Sequence, residues 1–193
     1  MIGVLAVIAI LASLLVPKIF DAIHNSRISN AVLSYNTEKT AVAEHFAKAG
    51  AFDKTTFGTN VLLNVGTPGG NANYDTLLVS EGLTDKPFLV KVGTNSYVQL
   101  ADKNQAGSGI LPGYDLDGNG TADTSAATFV IEAVIQGCTI DDARAINDAL
   151  DSTVGGLGAL GEGATPQKDT KGRVVYDFNG GTTTSVFIYI THR

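Results

Sequence analysis

The stretch MIGVLAVIAILASLLVPKIF, residues 1–20, decides how the rest of the chain is read. Residues 1–16 carry Ser13 as their one polar side chain, and Pro17 and Lys18 then end the run. At about 1.5 Å per helical residue the run reaches roughly 24 Å, short of the roughly 30 Å of a bilayer's hydrocarbon core. A free-standing span of this length is marginal. A secretory signal peptide needs a basic stretch ahead of its apolar segment and a small-x-small cleavage site behind it. Here Met1 runs straight into Ile2, and the apolar run closes on Leu15, Val16, Pro17 and Lys18.

The helical pattern continues past the run. Ile28, Val32, Tyr35, Val42, Phe46 and Ala49 recur at steps of three, four or seven, while Asn30, Glu38, Glu44 and Lys48 fall mostly off that face. Gly50 is placed to stop the helix. Pro17 has no amide hydrogen and should kink or loosen the chain locally, but no glycine cluster intervenes. The pattern predicts one helix over residues 1–49, apolar all round in 1–20 and amphipathic in 21–49, with a globular domain in 50–193.

Composition narrows the function classes. The 193-residue chain has a net charge of −6, and its 13 basic residues are scattered, so no nucleic-acid surface is expected. Its 22 glycines suit a loop-rich exported protein. Cys138 is the only cysteine, which rules out an intrachain disulfide and a cysteine-based metal cluster. It is expected to be a buried apolar filler. His24, His45 and His192 show no metal or triad spacing, and the spellings of zinc proteases, nucleophile elbows and phosphate loops do not occur. No enzyme and no small-molecule substrate are expected.

In the body, residues 51–85 read as an irregular connection. Residues 88–92 and 97–100, joined at Gly93, Thr94 and Asn95, read as a hairpin, and 128–136 as a further strand. The segment TIDDARAINDALD offers Thr139 or Asp141 as N-cap to a short helix over about 140–151. GRVVYDF and TSVFIYITHR flank NGGTT as a second hairpin. The glycine-rich stretch 151–171 reads as a surface loop. Its GLGALG spelling lacks the strand before and helix after that a dinucleotide turn needs. The fold class is therefore α+β, a long N-terminal helix packed against a small antiparallel sheet.

One loop carries cation chemistry. In GYDLDGNGTADTS, Asp115, Asp117, Asn119 and Asp123 occupy alternate ligand positions, with Thr121 placed to offer a main-chain carbonyl and Gly120 to allow the sharp turn. Calcium, a hard cation wanting six to eight oxygens, suits this spacing. The loop resembles the first nine residues of an EF-hand loop but has Ala126 where a bidentate Glu belongs, so weak, extracellular-range affinity is expected. The competing reading is an ion-free Asp-Asn-Gly turn.

VLAVIAILASLLVPKIFDAI, residues 4–23, followed by the amphipathic half, resembles the N-terminal segment of the type IV pilin and type II secretion pseudopilin family. The resemblance covers about residues 1–49. It implies that Ile2, Val4, Leu5, Val7, Ile8, Ile10, Leu11, Leu14, Leu15 and Pro17 form an assembly helix. That helix would be held first in the inner membrane and then among identical subunits of an extracellular filament. The implied partners are further copies of the chain and the assembly machinery, including prepilin peptidase. Matching Pro17 to the family's proline places Met1 several residues inside the mature helix. A leader ending in Gly, then a Phe or Met and a Glu, is therefore expected upstream, and about five more residues would lengthen the run to roughly twenty. A pseudopilin, or a membrane-tethered calcium-dependent binding module that does not polymerise, are the alternatives.

Overall fold

The computed structural model describes residues 2–52, 72–102, 113–124, 129–151, 168–178 and 180–192. The first element is α1, Ile2–Ala49, whose 48 residues span about 72 Å. Pro17 lies within it without ending it. Gly50 closes it as expected, with φ of 70° and its amide donating to the Phe46 carbonyl at 2.8 Å.

The remaining elements are β1 (Ala72–Asn73), α2 (Tyr74–Ser80), β2 (Asn95–Asp102), β3 (Phe129–Thr139), α3 (Ile140–Asp151), β4 (Lys168–Asp169), β5 (Val174–Asp177) and β6 (Thr183–His192). The strands form one antiparallel sheet in the order β1-β2-β3-β6-β5-β4. Alternation along the strands splits their side chains between two faces. Val98, Leu100, Ile131, Ala133, Ile135, Val186 and Ile188 join the helices in the main core. Tyr114, Val130 and Val175 form a small cluster on the other face, flanked by Leu116, Phe187 and Tyr189.

Only the rear half of α1 is docked on this core. Ile28, Ala31, Tyr35, Glu38, Ala41, Val42 and His45 are buried along it. Tyr35 donates its hydroxyl to the Tyr189 carbonyl at 2.6 Å, and His24 Nδ1 lies 3.3 Å from Asp142 of α3. The docked face is turned from the expected one. Phe46, placed inside by its apolar character, is 45% exposed and stacks on Phe52, whereas Glu38, placed outside, is buried. Polar residues occupy the middle of the buried strip, so counting apolar residues alone misplaces its centre.

Two further expectations are corrected. Residues 88–92 are not a strand, because their backbone is satisfied by side chains instead of a ladder. The Ser96 hydroxyl accepts from Val90 N and donates to the Phe88 carbonyl, and Asp75 accepts from Phe88 N. The hairpin partner of β2 is β3. Second, the connection over 51–85 contains α2, which packs Tyr74, Leu77 and Leu78 into the core. Thr139 caps α3 as expected, accepting from Asp142 N at 3.3 Å and donating to Asp142 Oδ2 at 2.8 Å. β5 and β6 pair as the second hairpin. Cys138 is buried, and burial, with Asp142 adding to it, pushes its thiol up to about 12. Most of the glycine-rich stretch, including GLGALG, lies outside the described residues, as do the side chains of Ile2, Val4, Leu5, Val7 and Leu14.

Burial, reinforced by Asp75, raises the Glu38 carboxyl from 4.5 to about 7. A folded-state pKa above the unfolded one means that folding pays for the ionised carboxylate above pH 7 and is relieved as pH falls toward 4.5. Water in the adjoining cleft screens part of this cost. Glu38→Gln is therefore expected to stabilise the chain by about 1–2 kcal/mol at pH 8, with the gain shrinking to nothing near pH 4.5. Urea unfolding of both proteins across that range checks it; a gain that grows on acidification contradicts it.

Candidate cation loop and the exposed helix

Residues 113–124 fold across the second face of the sheet. Tyr114 anchors them from below: its ring is buried, and its hydroxyl donates to Glu132 Oε2, while Gln99 Nε2 donates to Glu132 Oε1 at 2.8 Å. At the loop's base Tyr114 N donates to the Thr124 hydroxyl at 2.9 Å, and Asp123 N to the Tyr114 carbonyl at 2.7 Å.

The acidic side chains turn back on the loop's own amides. Asp115 Oδ2 accepts from Gly120 N at 2.8 Å, and Asp117 Oδ1 accepts from Asn119 N at 3.0 Å. Asp123 Oδ2 accepts from Leu116 N at 2.6 Å and from Asp117 N at 3.2 Å. Asn119 Oδ1 accepts from the amide and the hydroxyl of Thr121. Gly120, at φ of 91°, supplies the left-handed turn that the spacing requires.

The result brings carboxylate oxygens of Asp115, Asp117 and Asp123 within 4.8 Å of one another. Asp117 and Asp123 are exposed, whereas Asp115 is only 6% exposed and its Oδ1 has no hydrogen-bond partner. Three carboxylates at this spacing repel one another, and a buried unpaired acceptor adds its own desolvation cost. Oxygen-only donors of this kind match hard divalent cations. Asn119 and Thr121 sit in the same loop: Asn119 Oδ1 accepts from Thr121, and Asn119 Nδ2 donates to Asp117 Oδ2 at 2.9 Å. Ala126 lies outside the described residues.

Sequence reading did not find the second strand of chain at this site. Asp115 forms a parallel bridge with Lys171, its carbonyl accepts from Gly172 N at 2.7 Å, and Lys171 Nζ donates to the Gly118 carbonyl at 3.3 Å. Asp151 at the end of α3 holds the same turn by accepting from Arg173 N and Val174 N. Burial raises the Asp151 carboxyl to about 6 against the lowering pull of those two amides. These partners lie far along the chain, so no local motif announces them.

The second feature is the undocked half of α1. Ile8, Ile10, Leu11, Leu15, Val16, Ile19, Phe20 and Ile23 are all exposed, with Leu11 at 62% and Phe20 at 66%. At 100° per residue these positions point around the helix and do not form one stripe. Pro17 is exposed among them. Among the described residues no helix is long and apolar enough to cross a membrane.

Comparison with protein-family models, with curated proteins and with solved structures finds no match in any of the three.

The Asp115 side chain closes the loop on itself through Gly120 N whether or not a cation is bound. Asp115→Ala deprives Gly120 N of its acceptor and is expected to cost about 1–2 kcal/mol in urea unfolding with a chelator present. A loss within a few tenths of a kcal/mol of zero would show that this bond does not hold the loop.

Proposed function

We propose that the chain is a structural subunit that polymerises through the apolar half of α1 into an extracellular filament of the type IV pilus kind, after being held in the inner membrane by that same helix. One observation carries the reading: eight large apolar side chains stand exposed around a helix whose other half is docked on its own sheet. Covering eight such side chains is worth on the order of 10 kcal/mol. A helix apolar on every side needs lipid or other helices around it. Packing among copies of itself supplies such surroundings once the lipid is left behind. A pseudopilin of a secretion machine would share this helix; the large body after residue 50 favours the filament subunit.

The subunit's sheet domain would face solvent, and we assign calcium as the cation of the Asp115, Asp117 and Asp123 loop. Support comes from the three converging carboxylates and the unpaired buried oxygen of Asp115. Millimolar calcium outside a cell is matched to a loop without a bidentate twelfth ligand.

Leu11→Asp places a charge on the undocked helix without touching the sheet domain. The full chain is expected to form sedimenting filaments when detergent is diluted away, and the variant to remain dispersed with an unchanged far-UV spectrum and melting temperature. Equal sedimentation of the two proteins would defeat the assembly reading. Calcium is tested separately. With a dissociation constant of about 1 mM, 10 mM calcium stabilises the fold by about 1.4 kcal/mol and raises the melting temperature by about 3–5 °C. Asp117→Ala should abolish that increment, and a wild-type melting temperature indifferent to calcium and chelator excludes the ion.

A further inference from the structure

Between α1 and the chain that follows α2 lies a cleft of about 280 Å³, to which Ser34, Thr37, Glu38, Thr84, Phe88 and Leu89 contribute. Two of these residues bring buried polar atoms with no hydrogen-bond partner, Glu38 Oε2 and Thr84 Oγ1. Glu38 is 5% exposed as a residue, so water has little access to its carboxyl except through this cleft. Buried acceptors are almost always satisfied, and an orphaned one costs its full desolvation. The charge around it worsens the deficit. Asp75 on α2 is held as an acceptor by Phe88 N at 3.2 Å and Val98 N at 2.9 Å, and its charge acts on Glu38. Asp85 and Lys86 also line the cleft and offset one another in formal charge.

We propose that this cleft binds a primary ammonium group carried on a short aliphatic stem, with Glu38 as its counter-anion. An ammonium offers three donors. Glu38 Oε2 and Thr84 Oγ1 are two acceptors in need of one. Thr37 has given its hydroxyl hydrogen to the Leu33 carbonyl at 3.1 Å and keeps acceptor lone pairs as a third. Leu83, Pro87, Phe88 and Leu89 give the stem an apolar wall. The same chemistry is offered by a free alkylamine and by a lysine side chain of a neighbouring protein. The site stands apart from both the cation loop and the undocked helix.

The probe is n-butylammonium, titrated at pH 8 into the full chain in detergent and followed by amide chemical shifts. Saturable shifts confined to residues 34–38 and 84–89 are expected. Glu38→Gln should weaken binding about tenfold or more, the loss typical of a charge-assisted hydrogen bond. Thr84→Val should weaken it by about threefold at the neutral-bond end of the same scale. n-Butanol, with the same stem and no charge, should not saturate the site. Lowering the pH to 5.5 protonates Glu38 and should weaken wild-type binding, leaving the Gln variant flat. Absence of saturable shifts in the wild type, equal affinity in Glu38→Gln, or butanol binding as well as butylammonium overturns the proposal. If Glu38→Gln also loosens self-association in sedimentation, the ammonium belongs to a neighbouring copy's lysine. If self-association is unchanged, it belongs to a free amine, and both results uphold the site. Because binding is read on dispersed chain, failure of filament assembly leaves this test intact.

Discussion

The sheet is too short for the helix laid on it. β3, the longest strand, has 11 residues and reaches about 36 Å, while the 48 residues of α1 reach about 72 Å. The buried strip on α1 begins at Ile28 and ends at His45, close to what a sheet of that size can cover. The described side chains before it are exposed apart from the half-buried His24, which reaches Asp142 of α3, and charged residues, absent over 1–16, are frequent from Lys18 onward. The chain is thus written as two helices in one, a rear half that completes a domain and a front half that the domain leaves exposed.

Where the rear half sits along the sheet is fixed by polar contacts. Tyr35 reaches the Tyr189 carbonyl on β6, and His45 Nδ1 meets Glu81 Oε2 beyond the end of α2. His45 is fully buried, with Tyr74 edge-on to its ring at 5.6 Å. Apolar packing alone tolerates slippage, because Ala31, Ala41 and Val42 present similar small surfaces to the sheet. A slip of one residue would separate both polar pairs at once, leaving buried groups unpaired at about 1–3 kcal/mol each. The polar groups in this dock therefore set its register more than its strength, and Glu38 Oε2 and His45 Nε2, which lack partners, weaken it.

Much of the fold was legible because local chemistry and burial agree. The stop at Gly50, the Thr139 cap of α3 and the β-branched final strand each announce themselves within a few residues. α2 was not legible. YDTLLVS is seven residues long, too short for a helical period to show, and it is helical because Tyr74, Leu77 and Leu78 find a core. The false strand at 88–92 fails for a complementary reason: its alternation is real, but Asp75 and Ser96, distant or turned inward, take the backbone groups a ladder would need. Of the candidate cation site, the acidic spacing was visible and the clamp was not. Lys171 and Gly172 arrive from the β4-β5 connection, more than fifty residues beyond Asp115, and such long-range pairing leaves no periodic trace.

The loop's position gives that clamp a consequence. Tyr114, Val130 and Val175 make the second face of the sheet a small cluster, and residues 113–124 run over it. Below the loop, Tyr114, Glu132 and Gln99 form a buried polar chain into β3 and β2; beside it, Gly172 and Asp151 link it to β5 and α3. A ligand that binds the folded loop and not the unfolded chain adds its binding energy to folding. Here that energy would enter at a junction of four elements instead of a free tip. A cation among Asp115, Asp117 and Asp123 would neutralise the repulsion that otherwise strains the junction, and it would stiffen the face of the sheet opposite α1. The helix side of the domain carries its own register pins, and the loop side is held by its own hydrogen bonds to β3, α3 and the turn before β5.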